Sequence, residues 1–196
     1  MNPGASKLRD FFYSIMKDEE IVELLQDPSK HETAFRAILK SYKEKLYYHV
    51  RKIVIDHDDA DDVTQEAFIK IWRNLDKFRG DSKLYTWLYR IATNEALTFL
   101  QKKRKDMSVS IDDNEILVNQ LETSRSDSYY SGDEIQTKLQ KALLELTDKQ
   151  RVVFNLKYFD DLKYEEIAEI TETSVGGLKA TYHFAVKKIE EFLTKN

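Results

Sequence analysis

An aromatic ring, a cation and two amides recur at helical spacing in the first half of the chain. Trp87, Arg90, Asn94 and Gln101 are separated by three, four and seven residues, so a helix would place them on one stripe. Aromatic and guanidinium planes can stack on unpaired bases, and amides can hydrogen-bond to base edges. The stripe is therefore a candidate site for single-stranded nucleic acid. The alternative, in which Trp87 and the nearby tyrosines belong to a core, stays open.

A run of cations follows the stripe. Lys102, Lys103, Arg104 and Lys105 form a local cluster that could bind the phosphate backbone of a nucleic acid. Cations at the end of a helix also complement its dipole. Both interpretations are consistent with the sequence.

A cluster of acids precedes the stripe. Asp58, Asp59 and Asp62 have the Asp-Asp-x-x-Asp spacing with which helical isoprenoid synthases hold magnesium, and His57 with Asp58 is similar to a pair found in metal-dependent phosphohydrolases. A synthase needs a second metal-binding motif and a large apolar cavity, which this short chain does not offer. Acids at the start of a helix are the favoured interpretation. We expect no metal, no cofactor and no catalytic residue.

A helix-turn-helix pattern occurs near the C-terminus. A short segment around Ala168 is followed by a turn and then by an apolar stripe that begins at Val175, with Ser174 as the candidate N-cap of the last helix. The face opposite the stripe would enter the major groove of DNA, and the early glycines would let the backbone approach phosphate. An ordinary helical bundle with a solvated basic face is the alternative. The candidate residues for duplex DNA are Ser174, Gly176, Gly177, Lys179, Thr181, His183 and Lys187.

Composition favours helices as the elements that position these residues. Gly (5) and Pro (2) are scarce among 196 residues, which argues against the frequent tight turns of sheets. Cysteine is absent, which excludes disulfides and thiolate metal sites. The net charge of −4 gives no global attraction to nucleic acid, so DNA contacts must depend on local clusters. The scarcity of Gly and Pro therefore predicts an all-α protein. Because the sequence has no apolar run of about 18 residues or more, we expect this protein to be cytoplasmic.

Hydrophobic periodicity divides the chain into two helical domains and a linker. It predicts about four helices between residues 18 and 105, including helices over 31–55, 60–75 and 84–103. Ser, Asp, Asn and Glu dominate 106–133, which we interpret as a flexible linker. Beyond it, Thr147 and Gln150 have capping-box spacing, and helices follow to the C-terminus. The predicted division is 1–30 for an extension and first helix, 31–105 for one domain, 106–133 for the linker and 134–196 for a second domain.

Two groups of motifs stand on either side of the acidic segment. The first group is DDVTQEAFIKIW at 61–72, FRGDS at 78–82, and YTWLYRIA at 85–92 with Asn94, and the second is LKYEEIA at 162–168 and VGGLK at 175–179. Together they resemble extracytoplasmic-function sigma factors of the sigma-70 family, the first group being similar to sigma region 2 and the second to region 4. Two independent motifs thus recur in the family's order around an acidic linker.

The resemblance implies a promoter-specificity subunit of RNA polymerase. Its first domain would capture a flipped base of the minus-ten element, and its last helix would bind the minus-thirty-five element as duplex. Core polymerase, through its clamp helices and flap, and promoter DNA are the implied partners, and an anti-sigma protein is the expected regulator. The implied polymerase contacts are Asp62, Gln65, Glu66 and Ile69, supported by Phe68 and Trp72. The implied minus-ten residues are Phe78, Arg79, Lys83, Tyr85, Trp87, Arg90, Asn94, Lys102, Lys103 and Arg104.

Three positions depart from the family pattern. The family often has Arg where this chain has Thr181 and Phe184, and a Ser or Thr cap where it has Lys163. A helix-turn-helix regulator with a helical sensing domain remains the alternative function. It would have no use for the minus-ten segment at 78–94.

Overall fold

The computed structural model describes residues 16–106 and 134–195. They form eight α-helices and two short 3₁₀ turns, and no strand occurs in these two ranges, so the all-α prediction is confirmed. The predicted linker lies outside the described residues except for its first residue. The helices are α1 (Asp18–Leu25), α2 (His31–Val54), α3 (His57–Arg73), α4 (Leu84–Asp106), α5 (Glu134–Leu144), α6 (Asp148–Tyr158), α7 (Tyr164–Thr171) and α8 (Val175–Lys195).

Local caps set the helix bounds. α3 begins three residues before the predicted start because the Asp56 carboxylate accepts a hydrogen bond from the Asp59 N–H at 3.0 Å. Asp58 and Asp59 then lie in the first turn, where negative charge is favoured. The predicted capping box is present: the Gln150 N–H donates to Thr147 Oγ1 at 3.3 Å, and the Thr147 N–H donates to Gln150 Oε1 at 3.1 Å.

The helix-turn-helix has its own caps. The backbone N–H of Lys163 donates to Glu166 Oε2 at 3.0 Å, so α7 is capped without a Ser or Thr. Glu172, with φ of 52°, makes the left-handed turn after α7. The predicted cap Ser174 accepts a hydrogen bond from the Gly177 N–H at 3.2 Å at the start of α8.

One hydrophobic core joins the N-terminal and C-terminal halves. Buried side chains of α1 to α4, such as Ile38 and Leu88, form a continuous cluster with Leu156 of α6, Ile167 of α7 and Leu178 of α8. A second, smaller cluster lies within the C-terminal half, between α5, α6 and α8. The two halves are therefore packed against each other, chiefly through α4 with α7 and α2 with α6.

A polar cluster lies in this contact between the halves. Asp160, just after α6, accepts a hydrogen bond from Lys52 Nζ at 3.0 Å and lies 3.5 Å from the ring of the buried His49. Burial opposes ionisation of Asp160, but His49 and Lys52 outweigh it and hold the pKa of the carboxyl below its ordinary value. The Asn155 amide also donates to the Lys52 carbonyl at 3.0 Å. The C-terminal half is thus attached to α2 by specific polar contacts as well as by apolar packing.

None of the helices within 16–106 and 134–195 is both long enough and apolar enough to cross a bilayer.

Candidate nucleic-acid interface

A cleft of about 480 Å³ lies between the end of α3, the loop at 78–82 and α4. Its volume is typical of small-molecule sites. Gly80, with φ of 79°, supports the sharp turn of the loop, because L side chains rarely adopt that conformation. The structure brings five of the predicted minus-ten residues together here: Phe78, Arg79, Trp87, Arg90 and Asn94.

The aromatic wall of the cleft has two layers. Phe78 is buried, at 5% exposure, and its ring centroid lies 5.2 Å from that of Trp87. Trp87 is partly exposed and lines the cleft. Phe78 therefore supports the indole from the core, and Trp87 combines the two roles that the sequence left open.

The charge of the cleft is positive. Four cations, Lys70, Lys77, Arg79 and Arg90, line it together with the two acids Asp81 and Glu95. Lys70 is paired with Glu95 across α3 and α4. Exposed Asn94 adds an amide next to this charge. Cations, an aromatic plane and an amide together suit an unstacked base and its phosphate.

The sequence analysis missed the side of the cleft formed by the end of α3 and the turn that follows it. Lys70 lies in the last turn of α3, Asn74 directly follows the helix, and Lys77 ends the 3₁₀ turn Leu75–Lys77. The Asn74 amide donates to the Lys70 carbonyl at 2.7 Å and ends the helix. Their spacing was a usable signal, but only the packing of α3 on α4 shows that they face the cleft.

Two predicted minus-ten residues face the C-terminal half instead of the cleft. Tyr85 precedes Trp87 by two residues, which places it about 200° around α4. Lys83 Nζ lies 2.9 Å from the Glu166 carboxylate of α7. The Tyr85 hydroxyl and the Lys83 ammonium lower the pKa of Glu166 to about 2. Arg90 lines the cleft but also lies 3.8 Å from Glu172, at the end of α7.

The basic run at the end of α4 is also engaged with acids. Lys103 Nζ lies 2.5 Å from Asp59 of α3, and Arg104 is paired with Asp148 of α6. Lys102 and Gln101 are exposed on α4, outside the cleft. Part of the predicted phosphate-binding cluster therefore stabilises the packing of helices in this conformation.

The predicted polymerase face lies on α3, next to the cleft. Asp62, Gln65, Glu66 and Ile69 are exposed and share one stripe at steps of three, one and three. Trp72 extends the stripe, at 47% exposure, and its ring centroid lies 5.1 Å from that of Phe35. Phe68 is buried beside the same Phe35, at 6.4 Å. The face is therefore acidic with an exposed apolar end.

The outer surface of α8 carries the predicted duplex-binding residues. Gly176, Gly177, Lys179, His183 and Lys187 are exposed, as is the cap Ser174. The Thr181 hydroxyl donates to the Gly177 carbonyl at 2.9 Å and is satisfied within the helix. The sequence analysis did not include Phe184 in this surface, although its ring is 58% exposed.

Two parts of the chain match known families. Residues 38–106 match sigma-70 region 2, and residues 136–189 match sigma-70 region 4. The chain is 33% identical to the RNA polymerase sigma-H factor of Pseudomonas aeruginosa over 183 residues, which cover 90% of this chain and 94% of that one. The chain belongs to the sigma-70 family. The match to region 2 includes the cleft and the acidic face of α3, and the match to region 4 includes the helix-turn-helix.

Further relatives place this sigma factor in the extracytoplasmic-function (ECF) branch. It is 35% identical to the ECF sigma factor SigW of Bacillus subtilis, with 76% of this chain and 83% of SigW covered. It is 33% identical to the ECF sigma-E factor of Escherichia coli strain K12, with 89% and 93% covered.

Two solved structures share this fold. The sigma factor RpoE of Bartonella quintana, solved with the anti-sigma factor NepR, superposes with a TM-score of 0.63 at 25% identity over 82% of this chain and 96% of that one. CnrH, solved with the cytosolic domain of CnrY, gives a TM-score of 0.62 at 19% identity over 90% of this chain and 96% of CnrH.

Proposed function

We propose that this sigma factor directs core RNA polymerase to promoters by capturing an unpaired minus-ten base in the cleft and binding minus-thirty-five duplex with α8. The observation that carries the proposal is the cleft itself. Trp87, Arg90 and Asn94 supply a stacking plane, a cation and an amide within one cavity of about 480 Å³. A regulator that binds only duplex DNA has no need of such a cavity.

The cleft would act during strand separation. A base that leaves the duplex loses its stacking and pairing, at a cost of a few kcal/mol. The Trp87 face offers a replacement stacking contact of about 1–3 kcal/mol, and the excess of cations in the cleft attracts the adjoining phosphates. Asn94 could donate to or accept from a base edge and so favour particular bases. Binding of the unpaired base in the cleft therefore favours separation of the DNA strands.

The acidic face of α3 would hold the protein on the polymerase. Asp62 and Glu66 suit a basic partner surface, and the exposed Ile69 and Trp72 supply apolar contact area beside them. By the family resemblance we assign this face to the clamp helices of the largest subunit and region 4 to the flap. We also propose that the protein acts in the cytoplasm, and that an anti-sigma protein regulates it, as NepR binds the related RpoE.

The test is association with core polymerase followed by run-off transcription on a library of promoters. We expect the purified chain to bind core enzyme and to select promoters with shared minus-ten and minus-thirty-five sequences. Failure to associate with core enzyme at any salt concentration, after removal of regulators, would contradict the proposal.

A pair of variants tests the cleft directly. Asn94→Ala should weaken open-complex formation by the holoenzyme about tenfold while leaving closed-complex binding nearly unchanged, because the amide meets its base only after melting. Gln101→Ala is the matched control, since Gln101 is an exposed amide on the same helix but outside the cleft. An equal loss in both binding steps for Asn94→Ala would argue against base capture.

A further inference from the structure

The exposed face of α8 carries an aromatic residue on one side. Leu178, Ala185 and Ile189 of α8 are buried. With 100° per residue, the side of the helix opposite to them carries Gly176, Ala180 and Lys187, and Phe184 lies about 60° from its centre. Phe184 is 58% exposed, the most exposed of the large hydrophobic side chains in the described residues. A well-exposed apolar ring therefore lies beside the centre of this face.

The surroundings of Phe184 suit an anionic partner with an apolar group. Lys187 lies about 60° from Phe184 on one side and is 3.9 Å from the Glu191 carboxylate. Lys188 lies about 40° away on the other side and donates to the Glu145 carbonyl at 3.3 Å. Between Val175 and Ile189 the helix sequence contains no acid. An exposed ring flanked by cations would be poorly suited to a purely apolar protein groove, because binding there would require desolvation of the lysines.

The residues before Phe184 on the same face are small. A Cβ atom built on Gly176 would meet nothing within 4 Å, so packing within the chain does not require glycine at this position. Ala180, one turn before Phe184, is exposed. Together they leave a shallow path along which the helix could approach a ligand closely, and the Phe184 ring lies beside that path.

We propose that Phe184 contacts the methyl groups of thymine in the minus-thirty-five duplex and that it determines specificity there. The inference rests on the proposed function of α8. The C5-methyl of thymine is the apolar group that a base pair presents in the major groove, and phenylalanine is among the side chains that contact it. The flanking lysines would lie toward the phosphates on either side of the groove. An apolar contact would therefore replace the hydrogen bonds to bases that an Arg, frequent in the family at this position, would make.

The test removes the methyl groups from DNA without changing its hydrogen-bonding edges. A promoter selected by the holoenzyme is prepared with deoxyuridine in place of each minus-thirty-five thymine in turn. We expect the wild-type holoenzyme to lose about fourfold in closed-complex affinity at one or two positions, as expected for one buried methyl group. Phe184→Ala should bind thymine and deoxyuridine promoters equally, and Phe184→Leu should keep part of the discrimination.

Leu193→Ala is the matched control. Leu193 is an apolar side chain, 40% exposed, near the C-terminal end of α8 and away from the face that carries Phe184. This variant should discriminate as the wild type does, and circular dichroism should show that all three variants remain folded. Equal binding of both promoters by the wild type, or unchanged discrimination by Phe184→Ala, would overturn the proposal. In either case transcription from the selected promoter would still support the proposed function, whereas a holoenzyme that selects no promoter would contradict that function itself.

Discussion

Replacement of Asp160 by Asn should weaken the packing between the two halves of the chain. The substitution keeps the size of the side chain but removes the charge that faces Lys52 Nζ at 3.0 Å and the His49 ring at 3.5 Å. Lys52 would remain near the interface, at 16% exposure, without its anionic partner. An unpaired, largely buried cation destabilises the folded arrangement.

The size of the effect follows from burial. Breaking a fully buried pair costs about 3–5 kcal/mol, and breaking an exposed pair costs about 0–1 kcal/mol. Lys52 and Asp160 are each 16% exposed, so they lie between these limits. We expect a loss of about 2 kcal/mol, or roughly 30-fold in the equilibrium for the packed arrangement. For urea unfolding with a slope of about 2 kcal/mol per molar, the midpoint should fall by about 1 M.

Urea unfolding followed by tryptophan fluorescence measures this change. Both tryptophans, Trp72 and Trp87, lie in the N-terminal half. Their fluorescence therefore follows the unfolding of that half and shows how much packing against the C-terminal half stabilises it. Asp161→Asn is the matched control, because it makes the same change one residue away on a side chain that is 95% exposed. The control should shift the free energy of unfolding by less than about 0.5 kcal/mol. Equal shifts for the two variants would refute this account of the interface.

Four further predictions concern the interfaces and caps. Ile69→Lys should reduce affinity for core polymerase at least tenfold without lowering thermal stability, because it removes an apolar contact and places a cation against a basic partner; pull-down and melting measure the two effects, and Ile69 is already 40% exposed. Lys179→Ala should reduce affinity for promoters of every sequence and lower the salt slope by about one unit in a binding titration. Thr147→Ala should cost about 1 kcal/mol in urea unfolding, because α6 loses its cap. The pKa of Glu166 is lowered from 4.5 to about 2. The contribution of Glu166 to packing is therefore present above pH 4.5 and is lost as the pH falls toward 2. An acid titration followed by tryptophan fluorescence would detect this loss.

Local signals predicted the helices well. The cap at Thr147 with Gln150 and the cap at Ser174 depend on contacts within three residues, and both occur as expected. The start of α3 was placed three residues late because periodicity begins with its first apolar residue, whereas Asp56 caps the helix earlier. The partners of all three caps lie within one turn, so each leaves a local signal in the sequence, although periodicity alone overlooked the one at Asp56.

The packing of the halves could not be predicted in this way. Lys52 and Asp160 are 108 residues apart, and nothing in either segment indicates the other. For the same reason the contacts of Lys83 and Tyr85 with α7 were not anticipated, and the assignment of these two residues to DNA stays a prediction. The cleft was found in part, because Trp87, Arg90 and Asn94 share one helix stripe. The α3 side of the cleft was missed because it depends on the packing of a second helix.

The pairing of Lys83 with Glu166 and of Arg90 with Glu172 has a consequence for ionic strength. Added salt weakens contacts between these cations and phosphate, but it also weakens their attachment to the carboxylates of α7. The two effects oppose each other, since the carboxylates must leave before phosphate can replace them. Nucleic-acid affinity of the unassembled subunit should therefore respond to electrolyte less steeply than a count of its positive side chains suggests.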